Sequence, residues 1–199
     1  MCGIIGIFNS KEAGKKIVEG LEIIKHRGKD DYGYSDGKTV FSDYNEKFIE
    51  ENYIGHCLHA IVGHVKQPIK NHGVITANSE IYNWKELAEK YKIDAKNDSD
   101  LILKLIDKHG IEKIEELDGD YACCYWNENT IYLFRDIFGV KPLWCSEANV
   151  EKGFAFASEK KVLEKIEYEN AQEINPRTII KYYIKENKIE YIKREFFTI

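Results

Sequence analysis

The order in which the hydrophobic pattern changes along this chain restricts its architecture more than any single residue does. Gly3 to Phe8 is short and apolar on both faces, which suits a buried strand. Lys11 to Ile24 carries Ile17, Leu21 and Ile24 at the 3–4 spacing of an amphipathic helix. Strand-like stretches follow at Tyr53–Gly63 and Val74–Ala77, then helical ones at Trp84–Lys90 and Leu101–His109. From Tyr121 the pattern returns to short β-rich runs: Tyr121–Trp126, Ile131–Arg135, Pro142–Cys145 and Phe154–Ala157, separated by turn residues. A short helix at Glu159–Lys165 intervenes. A hairpin of Thr178–Ile184 and Lys188–Arg194, turning over Lys185-Glu186-Asn187, closes the series. Strands, helices and strands again predict two sheets with helices packed outside them, an α+β layered domain.

The chain has 199 residues and no Ser/Gly/Pro-rich linker, so residues 1–199 are expected to form a single domain. A formal net charge of −5 argues against nucleic acid as a partner, because phosphate binding leans on a basic surface. No apolar run approaches the ~20 residues that span a bilayer, so no membrane partner is expected. The start lacks the basic region and apolar core of a signal peptide, and a cytoplasmic location follows as the expectation. Five scattered cysteines with no CxxC pair do not make a disulfide framework. Adjacent Cys123 and Cys124 should point to opposite faces of one strand. The run His56-Cys57-Leu58-His59, with His64 beyond it, is rich in ligand types. A strand would nevertheless put His56 and His59 on opposite faces, and no metal site is expected.

Cys2 stands out by position. If Met1 is removed, a thiol and a free α-amine belong to the same residue. The amine titrates near ~7.7–8.0, where a general base works best. A nucleophile activated by the chain's own amine is an established catalytic arrangement and needs no cofactor.

From these residues outward the chain resembles the class II glutamine amidotransferases, which are N-terminal-nucleophile hydrolases. The resemblance runs through Met1-Cys2-Gly3-Ile4-Ile5-Gly6-Ile7, His26-Arg27-Gly28-Lys29-Asp30, Gly55-His56 and Gln67-Pro68. It continues in Asn78-Ser79-Glu80-Ile81-Tyr82-Asn83, Ser99-Asp100, Leu117-Asp118-Gly119, Arg135-Asp136 to Leu143, and Ala157-Ser158-Glu159. The Asn78 block is similar to the asparagine-synthetase version, with Ser79 where glycine is usual. The resemblance implies a four-layer αββα sandwich of two mostly antiparallel sheets. It further implies that Cys2 attacks the glutamine side-chain amide and that Asn78 and the Ser79 N–H hold the oxyanion. Asp100, with Glu80 nearby, would bind the substrate ammonium, and Arg27 would shape the loop over the thiol.

One departure matters. Leu58 occupies the position where the family carries an Arg that clamps the substrate carboxylate. His59 should point away from it by strand alternation. Lys29 is the first candidate for a replacement cation and Lys66 the second. Losing such a clamp costs ~1.5–3 kcal/mol. No ATP-binding Ser-Gly-Gly loop, P-loop or GxGxxG is present, so ammonia from glutamine or a related small amide would pass to a separate ATP-dependent synthetase. The alternatives are a degenerate relative that senses a ligand or braces a partner, and an amidohydrolase for a non-glutamine amide.

Overall fold

The computed structural model describes residues 1–43, 48–60 and 64–194. Its elements begin with β1 (Gly3–Phe8), α1 (Ala13–Ile24), β2 (Asp31–Ser35), β3 (Val40–Phe41) and β4 (Tyr53–Leu58). They continue with β5 (Ile69–Lys70), β6 (Val74–Ile81), α2 (Trp84–Tyr91), α3 (Asp98–His109), β7 (Gly119–Asn127) and β8 (Thr130–Arg135). The last are β9 (Trp144–Cys145), β10 (Phe154–Ala157), α4 (Lys160–Lys165), β11 (Gln172–Glu173), β12 (Thr178–Tyr183) and β13 (Lys188–Lys193).

The strands form two sheets, ordered β11-β9-β10-β1-β4-β2-β3 and β13-β12-β8-β7-β6-β5. Every recorded strand pairing is antiparallel. Ile4, Phe8, Ile54, Phe154 and Phe156 of the first sheet meet Val74, Cys124, Leu133 and Tyr182 of the second in one buried cluster. Alternation along β1 turns Ile5 and Ile7 the other way, onto Ile17, Leu21 and Ile24 of α1 and Val162 and Leu163 of α4. Cys123 likewise faces Ile102 and Ile106 of α3, opposite to Cys124. Helices, sheet, sheet, helices: this is the αββα sandwich. Each aliphatic side chain so buried contributes roughly 1.5–3 kcal/mol. Within the first sheet the Phe156 ring lies over its cross-strand partner Gly6, where a Cβ would clash with it.

The predicted elements recur with shifted ends, and four short strands (β2, β3, β5 and β11) had not been expected. β2 is interrupted by Gly33, and the other three are two-residue edges without a periodic signature. The far end of the predicted Tyr53–Gly63 strand lies outside the described residues. All five cysteines are free thiols.

The register sets up the site. Gly3 of β1 pairs with Cys57 of β4, so the start of β1 and the end of β4 share one end of the first sheet. The chain leaves β4 there, at Leu58, beside residue 2.

Candidate active site

One pocket gathers Cys2, Leu58, His59, Asn78, Ser79, Glu80, Asp98 and Lys141, with Met1, Gln67 and Trp84 also on its walls. The residue before β1 supplies the thiol, β4 and the turn after it supply Leu58 and His59, and β6 supplies Asn78 to Glu80.

Cys2 is held from two sides. Arg27, in a 3-10 turn at Lys25–Arg27, donates from Nε to the Cys2 carbonyl oxygen at 2.9 Å. The backbone N–H of His59 donates to Cys2 Sγ at 3.4 Å, and the thiol points to the His59 carbonyl at 3.7 Å. Burial pushes the thiol above its ordinary pKa. The His59 N–H, the chain's amino terminus and Arg27 pull it down, while Asp98 adds to the rise. The other four thiols are buried and are pushed up further by that burial, Cys57 and Cys145 to about 12. Cys2 is the accessible thiol.

Asn78 is 3% exposed, and its Nδ2 has no hydrogen-bond partner although it borders the pocket. A buried amide donor without a partner among the described residues costs ~1–3 kcal/mol, which leaves Asn78 an unsatisfied donor in the pocket wall. Ser79 is not among the residues with positive φ, so serine takes the glycine position without backbone strain. Its hydroxyl donates to Asp98 Oδ2 at 3.0 Å and contacts Ser99 Oγ at 2.9 Å. Glu80 is exposed at the mouth.

Asp100 is not in this group. Its side chain is 5% exposed and its Oδ2 accepts from Lys104 Nζ and from the Lys96 N–H, both at 2.8 Å. The pocket receives Asp98 instead, two residues earlier. Two residues along a helix differ by ~200°, so Asp98 and Asp100 leave the first turn of α3 on opposite sides. Asn97 caps that turn, its Oδ1 accepting from the Asp100 N–H at 2.9 Å.

Of the expected cations, Lys29 is exposed and does not line the pocket. Lys66 is spent on Asp31 at 3.0 Å, together with His64 at 2.9 Å. Asp31 pairs with Leu58 across the β2/β4 ladder and holds Lys66 beside it. His59 lines the pocket with its backbone N–H and carbonyl turned to Cys2 Sγ. β4 ends at Leu58, and the next residue is free of the ladder. Its Nδ1 lies 3.6 Å from Asp30 Oδ2, and Asp30 also accepts from the Ala60 N–H at 2.8 Å. Lys141 had not been anticipated. Asp136 accepts from the Val140 and Lys141 N–H groups at 2.8 and 3.0 Å, and Arg135 Nη2 donates to the Gly139 carbonyl, where φ is +68°. That wrap presents Lys141 to the pocket. His56 is fully buried, with Nε2 3.1 Å from the Ala77 carbonyl oxygen, and desolvation lowers its pKa to about 4. Among the described residues no three potential metal ligands come together.

Comparison with known proteins agrees with the fold and the pocket. A family model described as a glutamine amidotransferase domain matches residues 1–198. A putative glutamine-hydrolysing asparagine synthetase of Methanocaldococcus jannaschii is 34% identical over 97% of this chain and 41% of its own length. A Bacillus subtilis asparagine synthetase is 32% identical over 82% of this chain and 22% of its own. The fold is that of the glutamine phosphoribosylpyrophosphate amidotransferase of B. subtilis, with a TM-score of 0.79 at 20% identity over 96% of this chain and 49% of that one. The chain therefore belongs to the class II glutamine amidotransferases, enzymes built on the N-terminal-nucleophile fold. Within that family it is a domain of the asparagine-synthetase type. It spans less than half the length of these relatives. No helix among the described residues is long and apolar enough to cross a membrane.

Proposed function

We propose that this pocket hydrolyses the side-chain amide of glutamine and that the ammonia released serves a separate synthetase. Removal of Met1 leaves Cys2 with a free amine. The amine takes the thiol proton as sulfur attacks the amide carbon, and the oxyanion rests on Asn78 Nδ2 and the Ser79 N–H. Collapse to a γ-glutamyl thioester expels ammonia, protonated by the same amine. Water then cleaves the thioester to glutamate and restores the thiol. Asp98 and Glu80 receive the substrate ammonium, and Lys141 offers its carboxylate a cation. Residues 1–199 act in this reading as one amidotransferase unit.

The observation that carries it is the pairing of Cys2 Sγ with the partnerless Asn78 amide in one pocket. Intact mass spectrometry and ammonia release test it. Active protein should begin at Cys2, and Cys2→Ala should release no ammonia from glutamine. Turnover by protein that retains Met1 would overturn it.

Leu58 favours a second reading, in which the substrate carries a neutral group at that wall. Steady-state comparison of glutamine with its α-carboxamide decides between the two. Preference for the carboxamide supports the second reading. Preference for glutamine, lost in Lys141→Met, supports the first.

A further inference from the structure

Arg27 fixes the carbonyl of the proposed nucleophile, and something must fix Arg27. Its side chain is 8% exposed and its Nη1 donates to Glu159 Oε1 at 3.1 Å. Glu159 is itself anchored by His26 Nε2 at 3.0 Å and Lys161 Nζ at 2.7 Å. Its place is set by the first sheet. Ser158 continues the β1/β10 pairing: its N–H donates to the Ile4 carbonyl at 2.9 Å, and its hydroxyl accepts from the Ile4 N–H at 3.0 Å. Glu159 comes next, as the residue before α4, level with the residues that lead into β1.

Cys2 precedes the ladder of β1, so no strand hydrogen bond orients its carbonyl. Neither Glu159 nor Arg27 borders the pocket. We infer that Glu159 is a positioning residue for Cys2, acting through Arg27. The inference rests on the reading of Cys2 as nucleophile. A carboxylate bonded by Arg27, Lys161 and His26 together holds the guanidinium in one orientation, and its Nε then holds residue 2 in place. Misplacing a reacting atom by ~1 Å costs on the order of 100-fold in rate.

The charges matter as well as the geometry. Cys2 is surrounded by the amino terminus, Arg27 and Asp98; Glu159 faces His26, Arg27 and Lys161. Glu159 offsets the positive charge of Arg27, which otherwise favours the thiolate.

The test compares wild type, Glu159→Gln, Arg27→Lys and the double variant. It measures glutamine turnover and, separately, the pH midpoint of Cys2 alkylation by iodoacetamide. Each single variant should lose about tenfold or more in kcat, with KM held within about twofold. The double variant should be no slower than the slower single one. The alkylation midpoint should fall in Glu159→Gln, where Arg27 is left uncompensated, and stay in place in Arg27→Lys, where the charge remains. Unchanged kcat, a parallel rise in KM, multiplicative losses or an unmoved midpoint in Glu159→Gln would each overturn the proposal. If Glu159→Gln does not fold, the kcat of Arg27→Lys decides alone. If wild-type protein does not hydrolyse glutamine, the glutaminase reading fails by itself, and the alkylation midpoints still judge the Glu159–Arg27–Cys2 connection.

Discussion

Ser79 donates its hydroxyl proton to Asp98 Oδ2 at 3.0 Å, tying the strand that carries Asn78 to the first turn of α3. The Ile81 N–H adds a second bond to the same oxygen at 3.2 Å. The acid that would meet the substrate ammonium is thereby fixed to the strand that would hold the oxyanion, and the distance between the two ends of the substrate is set by the fold.

Asp98→Asn should therefore raise KM for glutamine by about tenfold or more, since a hydrogen bond to a charged group is worth about 1.5–3 kcal/mol. Asp100→Asn should leave KM within about twofold and instead lower stability by about 1 kcal/mol, because its partners are Lys104 and the Lys96 N–H. Steady-state kinetics and urea unfolding of the two variants separate these roles. A larger effect on KM from Asp100 would reverse the assignment.

Asn78→Ala should reduce kcat by about 100- to 1,000-fold, the usual loss for one oxyanion donor. Its Nδ2 has no partner among the described residues, so thermal stability should hold or rise. Parallel measurement of kcat and the unfolding midpoint checks both halves. A stability loss with unchanged kcat would make Asn78 a structural residue.

Native protein treated with excess iodoacetamide near neutral pH should gain one adduct, on Cys2. Unfolded protein should gain five, matching its five cysteines. The other four thiols are buried, and their pKa values are raised by that burial. Intact mass followed by peptide mapping reads the number and the position.

Acid should weaken the fold in two windows. His56 is buried neutral, its pKa lowered from 6.5 to about 4 by desolvation. The unfolded chain therefore binds its proton first, and stability drops as pH falls from 6.5 toward 4, by roughly 3 kcal/mol in all. Glu159 resists protonation for a different reason. Lys161, Arg27 and His26 outweigh its burial and lower its pKa from 4.5 to about 2. Its contribution is whole above 4.5 and is lost as pH falls toward 2. Urea midpoints measured against pH should show the upper window vanish in His56→Gln and the lower one shrink in Glu159→Gln, with the remainder due to Glu116, which Lys113 and Lys90 also hold down at about 2.

Most of the architecture was readable from periodicity. β1, α1, β10 and β12 lie where the apolar pattern puts them, because each buries apolar side chains, and the turn over Lys185-Glu186-Asn187 returns β13 alongside β12. Two-residue edge strands carry no period, so β3, β5 and β11 had no sequence signal at all. Cys2, Asn78, Ser79 and Glu80 line one pocket, since the packed sheets bring the residue before β1 against the second half of β6.

The rest depended on where elements stop and turn. By itself the sequence determined the layers, the thiol at residue 2 and the amide at Asn78. Local pattern and residue chemistry are written into consecutive positions. Only the tertiary structure placed Asp98 rather than Asp100 on the pocket wall, because that depends on how α3 is rotated against β6. It also turned the His59 backbone to Cys2 Sγ where β4 ends at Leu58, carried Lys141 to the pocket through the wrap around Asp136, and joined Glu159 to Arg27 across 132 positions. Contacts between residues so far apart follow from the angle and register of packed layers, which no run of neighbouring residues records.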